Sequence, residues 1–310
     1  MTLQDLLAHA QRTETGVPDW MLGFFKRRSI SFANGETDSS THVCWFQSRN
    51  FTIDLRLPLA QSQPPPRTWG DYSADELAVL ANHEGWEALS EWDGEKLRWH
   101  SDTSLQLHNR WPEPALLQRI GNCMIEFAPT GAYVEDWRLQ PSRPGPLIGL
   151  RLIDERDVKT GELRHSGGGL IVCGDYAALV LGRAEELTGT SLREEVAKAT
   201  GDAQRLDRLF NFETSVASGS IQDGYRISLS TNAARIGEAL LPLDGFEYLS
   251  DQRQVVQRLV VDGIRCERRF VIDTIEPQLG YEQATGFTPQ AQAWYASESP
   301  TLTRYTEPHF

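Results

Sequence analysis

Cysteine is scarce in this chain: Cys44, Cys123, Cys173 and Cys266 stand far apart, each inside a strand-like run. Without a secretory signal, that pattern reads as buried reduced thiols and not as a disulfide framework. Basic residues are also few, 30 Lys and Arg against 43 Asp and Glu, which leaves a formal net charge of −13. Nucleic acids and anionic membranes are met by clustered Lys and Arg. The short basic run Lys26-Arg27-Arg28 leads straight into a strand-like segment, so no nucleic acid and no membrane is expected as a partner. No apolar run comes near the roughly 20 residues that span a bilayer. Met1 to Leu7 has neither a basic region nor a long apolar core, so no signal peptide is expected, and the compartment is taken as the cytoplasm.

Motifs tied to one chemistry are missing too. There is no Gly-x-Gly-x-x-Gly behind a strand, no phosphate loop, no His-Glu-x-x-His and no Gly-x-Ser-x-Gly elbow. Gly167-Gly168-Gly169 opens a strand and not a helix, which marks a bulge or tight turn and not a phosphate cradle. His100 and His108 lie near successive strands, but no third ligand stands with them. Neither a metal nor a cofactor is expected.

What is present is period two. Phe51, Ile53, Leu55 and Leu57 point one way and Thr52, Asp54 and Arg56 the other, behind a partner strand that carries Trp45-Phe46-Gln47. Asn34-Gly35, Asp93-Gly94 and Thr130-Gly131 read as hairpin turns. Helical spacing is confined to residues 2–12 and to short segments at 74–83 and 189–200. Strands are expected at Trp86–Trp92, Lys96–His100, Ser104–His108, Cys123–Phe127 and Ala132–Leu139. The proline-rich stretch 140–146 breaks both ladder and helix and marks the boundary between two halves.

The halves echo each other. Gly35-Glu36, the strand 51–57, Asp93-Gly94 and the pair around Gly131 return in the same order as Gly161-Glu162, the strand 176–182, Asp223-Gly224 and the pair around Gly263, each roughly 130 residues later. Evenly spaced strands and turns of this kind suit up-and-down barrels or sandwiches. The expected fold is mainly β: an N-terminal helical segment (1–23), a first barrel (24–140), a second barrel (147–277), and a tail (278–310) packing on the barrels, with short helices between.

The halves differ at one place. Asp54 and Arg56 have apolar counterparts, Leu179 and Leu181. Tyr133, Glu135 and Trp137 share a face, and with Trp45, Gln47, Asp54, Arg56 and His100 they form a candidate pocket of aromatic walls and a few polar anchors. Arg56 with Gln47 would hold a carboxylate or carbonyl, and Asp54 or Glu135 would serve as acid–base groups. The same residues also fit a cross-strand ion pair on a solvated face and ordinary core tryptophans. Both readings stay open on sequence.

The Trp45-Phe46-Gln47 hairpin followed by Asp54-Leu55-Arg56-Leu57-Pro58, with Gly131-x-Tyr133-x-Glu135-x-Trp137 later, resembles a family of uncharacterised bacterial proteins. The layout over roughly 24–275 is similar to calycin, lipocalin-like proteins with two barrels in tandem, known among fungal proteins and carotenoid hydratases. The resemblance implies tandem antiparallel lipocalin-like barrels and brings no catalytic residue with it. The expected function is binding of a small organic molecule in the first barrel. The alternatives are a cofactor-free isomerase, hydratase or cyclase, and a solid-barrel interaction module; a homodimer is left open.

Overall fold

The computed structural model describes residues 1–281 together with Ala293, Ala296 and Ser297. Its first sheet is made of β1 (Gly23–Phe32), β2 (Thr37–Asp38), β3 (Thr41–Gln47), β4 (Phe51–Pro58), β5 (Glu84–Trp92), β6 (Lys96–Ser104), β7 (Ala115–Ile120), β8 (Cys123–Phe127) and β9 (Tyr133–Leu139). All neighbours are antiparallel, and β1 pairs with β9 as well as with β3, which closes an eight-strand barrel with β2 as a short flap. The turns sit where glycine is needed: Gly35, Gly94 and Gly131 all have positive φ. A register shift between Arg27 and Ser29 bends β1 so that it serves both neighbours. The strand expected over Ser104–His108 ends at Ser104, and residues 105–114 form a loop over one mouth of the barrel.

The second sheet uses β10 (Gly145–Asp157), β11 (Leu163–Cys173), β12 (Tyr176–Arg183), β13 (Glu213–Ser220), β14 (Gly224–Ser230), β15 (Phe246–Leu249), β16 (Gln254–Val261) and β17 (Ile264–Leu279). Its order, β14-β13-β12-β11-β10-β17-β16-β15, repeats the order β6-β5-β4-β3-β1-β9-β8-β7 of the barrel. The helices recur as well: α1 (Ala74–Leu80) follows β4, and α2 (Leu192–Lys198) with α3 (Ala203–Leu209) follow β12. Each helix starts at a side-chain cap, Ser73, Ser191 and Asp202 respectively.

The sheets part company at one seam. In the barrel, β6 meets β7 through only two residue pairs, Lys96 with Leu116 and Leu97 with Ala115. Among the described residues the equivalent strands, β14 and β15, do not pair, so the second closed barrel expected from sequence is an open sheet curled around its own core. The connecting segment fills the gap instead: Ile227 N–H donates to Glu238 O, Leu240 N–H to Tyr225 O, and Arg258 N–H to Gly245 O. Pro242 lies in this segment and has no N–H to give a ladder.

Two packing choices position the site. The second sheet is filled by Leu150, Leu170, Leu179, Leu181, Ile227 and Phe270, and the N-terminal segment plugs it with Leu3 and Leu6. That segment is a 3-10 helix (Gln4–His9), held at its start by reciprocal bonds between Thr2 and Asp5. The apolar face of β4 does not look into the barrel; Phe51, Ile53, Leu55 and Leu57 share a core with Ile171, Ala178, Val180 and Val216 of the other sheet. Close contact depends on missing side chains. A Cβ on Gly149 would lie 2.1 Å from Ser48 Oγ, and one on Gly168, at φ +110, would lie 2.2 Å from Val180 O. The triple-glycine run is thus a bulge in β11 between His165 and Gly168. Of the tail from residue 278, Tyr281 is buried and its hydroxyl donates to Pro146 O at 2.8 Å; beyond it, the expected packing on the barrels lies outside the described residues.

Candidate functional site

Both faces of β4 are buried, and this decides what its polar face is for. With the apolar side committed to the other sheet, Thr52, Asp54 and Arg56 must point into the barrel. Cross-strand pairing then fixes their neighbours, because residues opposite each other share a face. Trp45 faces Asp54, Asp54 faces Trp86, Val43 faces Arg56, and Arg56 faces Glu84. From the far wall, Trp137 pairs with Met124 and Glu135 with Glu126.

The result is a slot lined by five indoles, Trp45, Trp86, Trp99, Trp111 and Trp137, together with Asp54, Arg56, Glu84, Asp102, Glu126 and Tyr133. It encloses a cavity of about 50 Å³, set within about 690 Å³ of interatomic space that includes open solvent. The rings are arranged edge to face: Trp45 with Trp137 at 5.1 Å, Trp45 with Trp99 at 5.7 Å and Trp86 with Trp99 at 6.0 Å between centroids. This geometry fixes each ring and leaves flat faces bounding a narrow space.

Polar groups in the slot are mostly answered. Arg56 Nε donates to Asp54 Oδ1 at 2.9 Å, and the guanidinium stacks 4.4 Å from the Trp111 ring. Trp111 Nε1 donates to Glu84 Oε2 at 2.9 Å, and Arg110 pairs with the other oxygen at 3.0 Å. Deeper in, Glu126 accepts from Tyr133 Oη at 3.2 Å and from Trp137 Nε1 at 3.0 Å. Glu135 is held by Arg27 at 2.6 Å. One buried donor is left over: Arg56 Nη1 has no hydrogen-bond partner among the described residues.

Burial sets the proton positions. It pushes the Asp54 carboxyl up to about 6, against the pull of Arg56. It pushes Glu126 well above the usual carboxylate range, and the neighbouring Glu135 adds to the effect. Both effects favour the protonated form of Glu126. For Arg56, burial alone would favour losing the proton, but Asp54, Glu135 and Glu84 outweigh it and hold the charge firmly in place.

A second, wider cleft of about 540 Å³ lies outside the slot, and Arg56, Glu84 and Trp111 line both. His83 lines the cleft from the end of α1; it is buried, its Nε2 finds no partner among the described residues, and burial pushes its pKa down to about 4.

Of the residues expected from sequence, Trp45, Asp54, Arg56, Tyr133 and Trp137 do come together in the slot. Glu135 lies in the same wall, fully buried but engaged by Arg27. Gln47 is not an anchor. Its amide nitrogen donates to Ser48 O and Ser90 Oγ, and its oxygen accepts from Trp45 Nε1 and Thr52 Oγ1. All of its capacity is spent on holding the Trp45 ring and the hairpin. His100 is outside the barrel: it sits opposite Leu89 on the outer face, its side chain 46% exposed and 3.5 Å from Glu91. A register shift between Glu87 and Leu89 comes between it and the slot-lining end of its strand.

Glu126, Glu84, Trp86, Trp99 and Trp111 were not foreseen. Glu126 had a signal, a lone acid inside the apolar strand Cys123-Met124-Ile125-Glu126-Phe127. Trp111 had none, since it reaches the slot from a loop.

Among the described residues no group of three or more His, Cys, Asp or Glu is placed to hold a metal ion, and no helix is long and apolar enough to cross a membrane. All four cysteines are free and buried. No protein-family model and no curated protein sequence matches the chain. Among solved structures, an uncharacterised protein, YLR301w, from Saccharomyces cerevisiae is similar at 12% identity and a TM-score of 0.43, over 82% of this chain and 98% of that one.

Proposed function

We propose that the barrel is a binding site for a small, partly aromatic organic molecule, with the indoles supplying contact area and Arg56 the anchor. The observation that carries this reading is the leftover donor. A buried N–H without a partner costs roughly 1–3 kcal/mol, and here it belongs to a guanidinium that is 9% exposed in a slot otherwise walled by aromatic rings. A solid, purely structural barrel would gain by filling that space with aliphatic side chains, as the second sheet does. The lipocalin-like likeness agrees with a ligand in the lumen and belongs to this same proposal.

The second sheet also supplies the test. Leu179 and Leu181 occupy the positions of Asp54 and Arg56, so the double variant Asp54→Leu/Arg56→Leu copies a packing the chain already uses. Native mass spectrometry of the purified wild-type protein is expected to show a retained small molecule, absent from the double variant at unchanged fold. A wild-type barrel that retains nothing, and binds nothing from a metabolite extract, would sink the reading.

An enzymatic version has one specific observation behind it. Asp54, held near pH 6 at its midpoint, can exchange a proton at neutral pH beside a cation able to steady an oxyanion. A cofactor-free isomerase, hydratase or cyclase would use Asp54 in that role. It would show as turnover that is lost in Asp54→Asn while the ligand still binds.

A further inference from the structure

We infer that the ligand is not an anion: it is an aromatic compound whose carbonyl, amide or hydroxyl oxygen accepts from Arg56, with the matching carboxylate excluded. This rests on the lumen being the binding site, and it narrows what can enter.

The charge around the slot carries the argument. Four acids, Asp54, Glu84, Asp102 and Glu126, line it against two guanidinium groups, Arg56 and Arg110. Behind them Arg27 and Glu135 cancel. Arg56 is already answered by Asp54 and further surrounded by Glu84 and Glu135. A carboxylate brought to Arg56 would meet more negative than positive charge in a poorly hydrated space. A neutral oxygen meets only the one unused N–H.

The second unpartnered atom points the same way. His83 lines the outer cleft, and its buried Nε2 has no partner among the described residues. Its ring is neutral at pH 7, so it is satisfied by a hydroxyl or amide and gains nothing from an anion. The ligand is therefore placed with one oxygen at Arg56 and its ring against the indoles that line the slot.

Two probes that share one ring separate the cases: indole-3-acetamide (neutral) and indole-3-acetate (anion), titrated calorimetrically into the protein at pH 7.5. The amide is expected to bind roughly tenfold or more tightly than the acetate, a difference of about 1.4 kcal/mol or more. Equal or tighter binding of the acetate would overturn the exclusion of the anion while leaving the lumen reading intact. Binding that persists in Asp54→Leu/Arg56→Leu, or no binding by any probe together with no retained molecule, would overturn the lumen reading itself.

Discussion

Asp54 and Arg56 behave as a unit, and their variants should show it. Both are almost completely buried, so removing one leaves the other's charge uncompensated. Arg56→Leu alone is expected to cost roughly 2–4 kcal/mol, softened because Asp54 can take up a proton. Adding Asp54→Leu should return part of that loss. Chemical denaturation of the two singles and the double tests this; simple additivity would show that the pair is not coupled. Glu126 calls for a different pair of changes. Glu126→Gln keeps the shape, with its amide oxygen accepting from Trp137 Nε1 and its amide N–H donating to Tyr133 Oη, and should shift the melting temperature by little. Glu126→Ala strands both donors and opens a cavity, at a cost of roughly 2–4 kcal/mol. Equal losses in the two variants would contradict a protonated Glu126.

The barrel's weakest element is the β6–β7 seam. Two residue pairs hold it, against seven between β3 and β4. Opening there needs few hydrogen bonds to break, so backbone amides of β7 and of the loop 105–114 should exchange with deuterium well before those of β4. Uniform exchange around the barrel would remove the seam as a weak point and as the way into the slot. The same element shows what could be read ahead of the structure. Period-two strands, glycine turns and the strand order of both halves followed from local rules, because side-chain alternation and hairpin chemistry are local. The alternation of β4 showed two faces of opposite polarity, yet which one faced the lumen depended on a second sheet more than a hundred residues away. His100 was misplaced for a related reason: a one-residue register shift in a long hairpin changes the face a side chain occupies, and nothing nearby in sequence announces it. Trp111 arrives from a loop without periodicity.

At the scale of the whole molecule, the two sheets are joined by buried polar contacts as well as by the apolar face of β4. Arg151 reaches Glu87 at 2.5 Å, Ser48 donates to Asp273 at 2.5 Å, and Arg49 pairs with Glu276 at 2.8 Å. The first of these lies against the barrel's outer wall, where burial pushes Glu87 up to about 7 despite Arg151. Together with Asp54 at about 6 and Glu126, which burial also raises, it makes the folded protein bind more protons than the unfolded chain in mildly acidic to neutral solution. Stability from these three groups is fully present below the ordinary carboxylate range and is lost as pH rises through their folded-state values. His83 acts oppositely: its pKa is lowered to about 4, so its contribution is present above about 6.5 and is lost as pH falls from there. Lowered carboxyls such as Asp154 and Glu155 add a further loss in stronger acid. The melting temperature should therefore climb as pH drops from 8.5 toward about 6 and fall again below about 4.5, with each limb worth on the order of 1–3 kcal/mol. Calorimetry across that range checks the shape, and Glu87→Gln identifies the source. That variant should flatten the neutral-to-alkaline limb, because its amide has no proton to lose. A wild-type melting temperature that holds steady or rises between pH 6 and 8.5 would mean that these carboxyls titrate normally, and that the sheet junction is wetter than its packing implies.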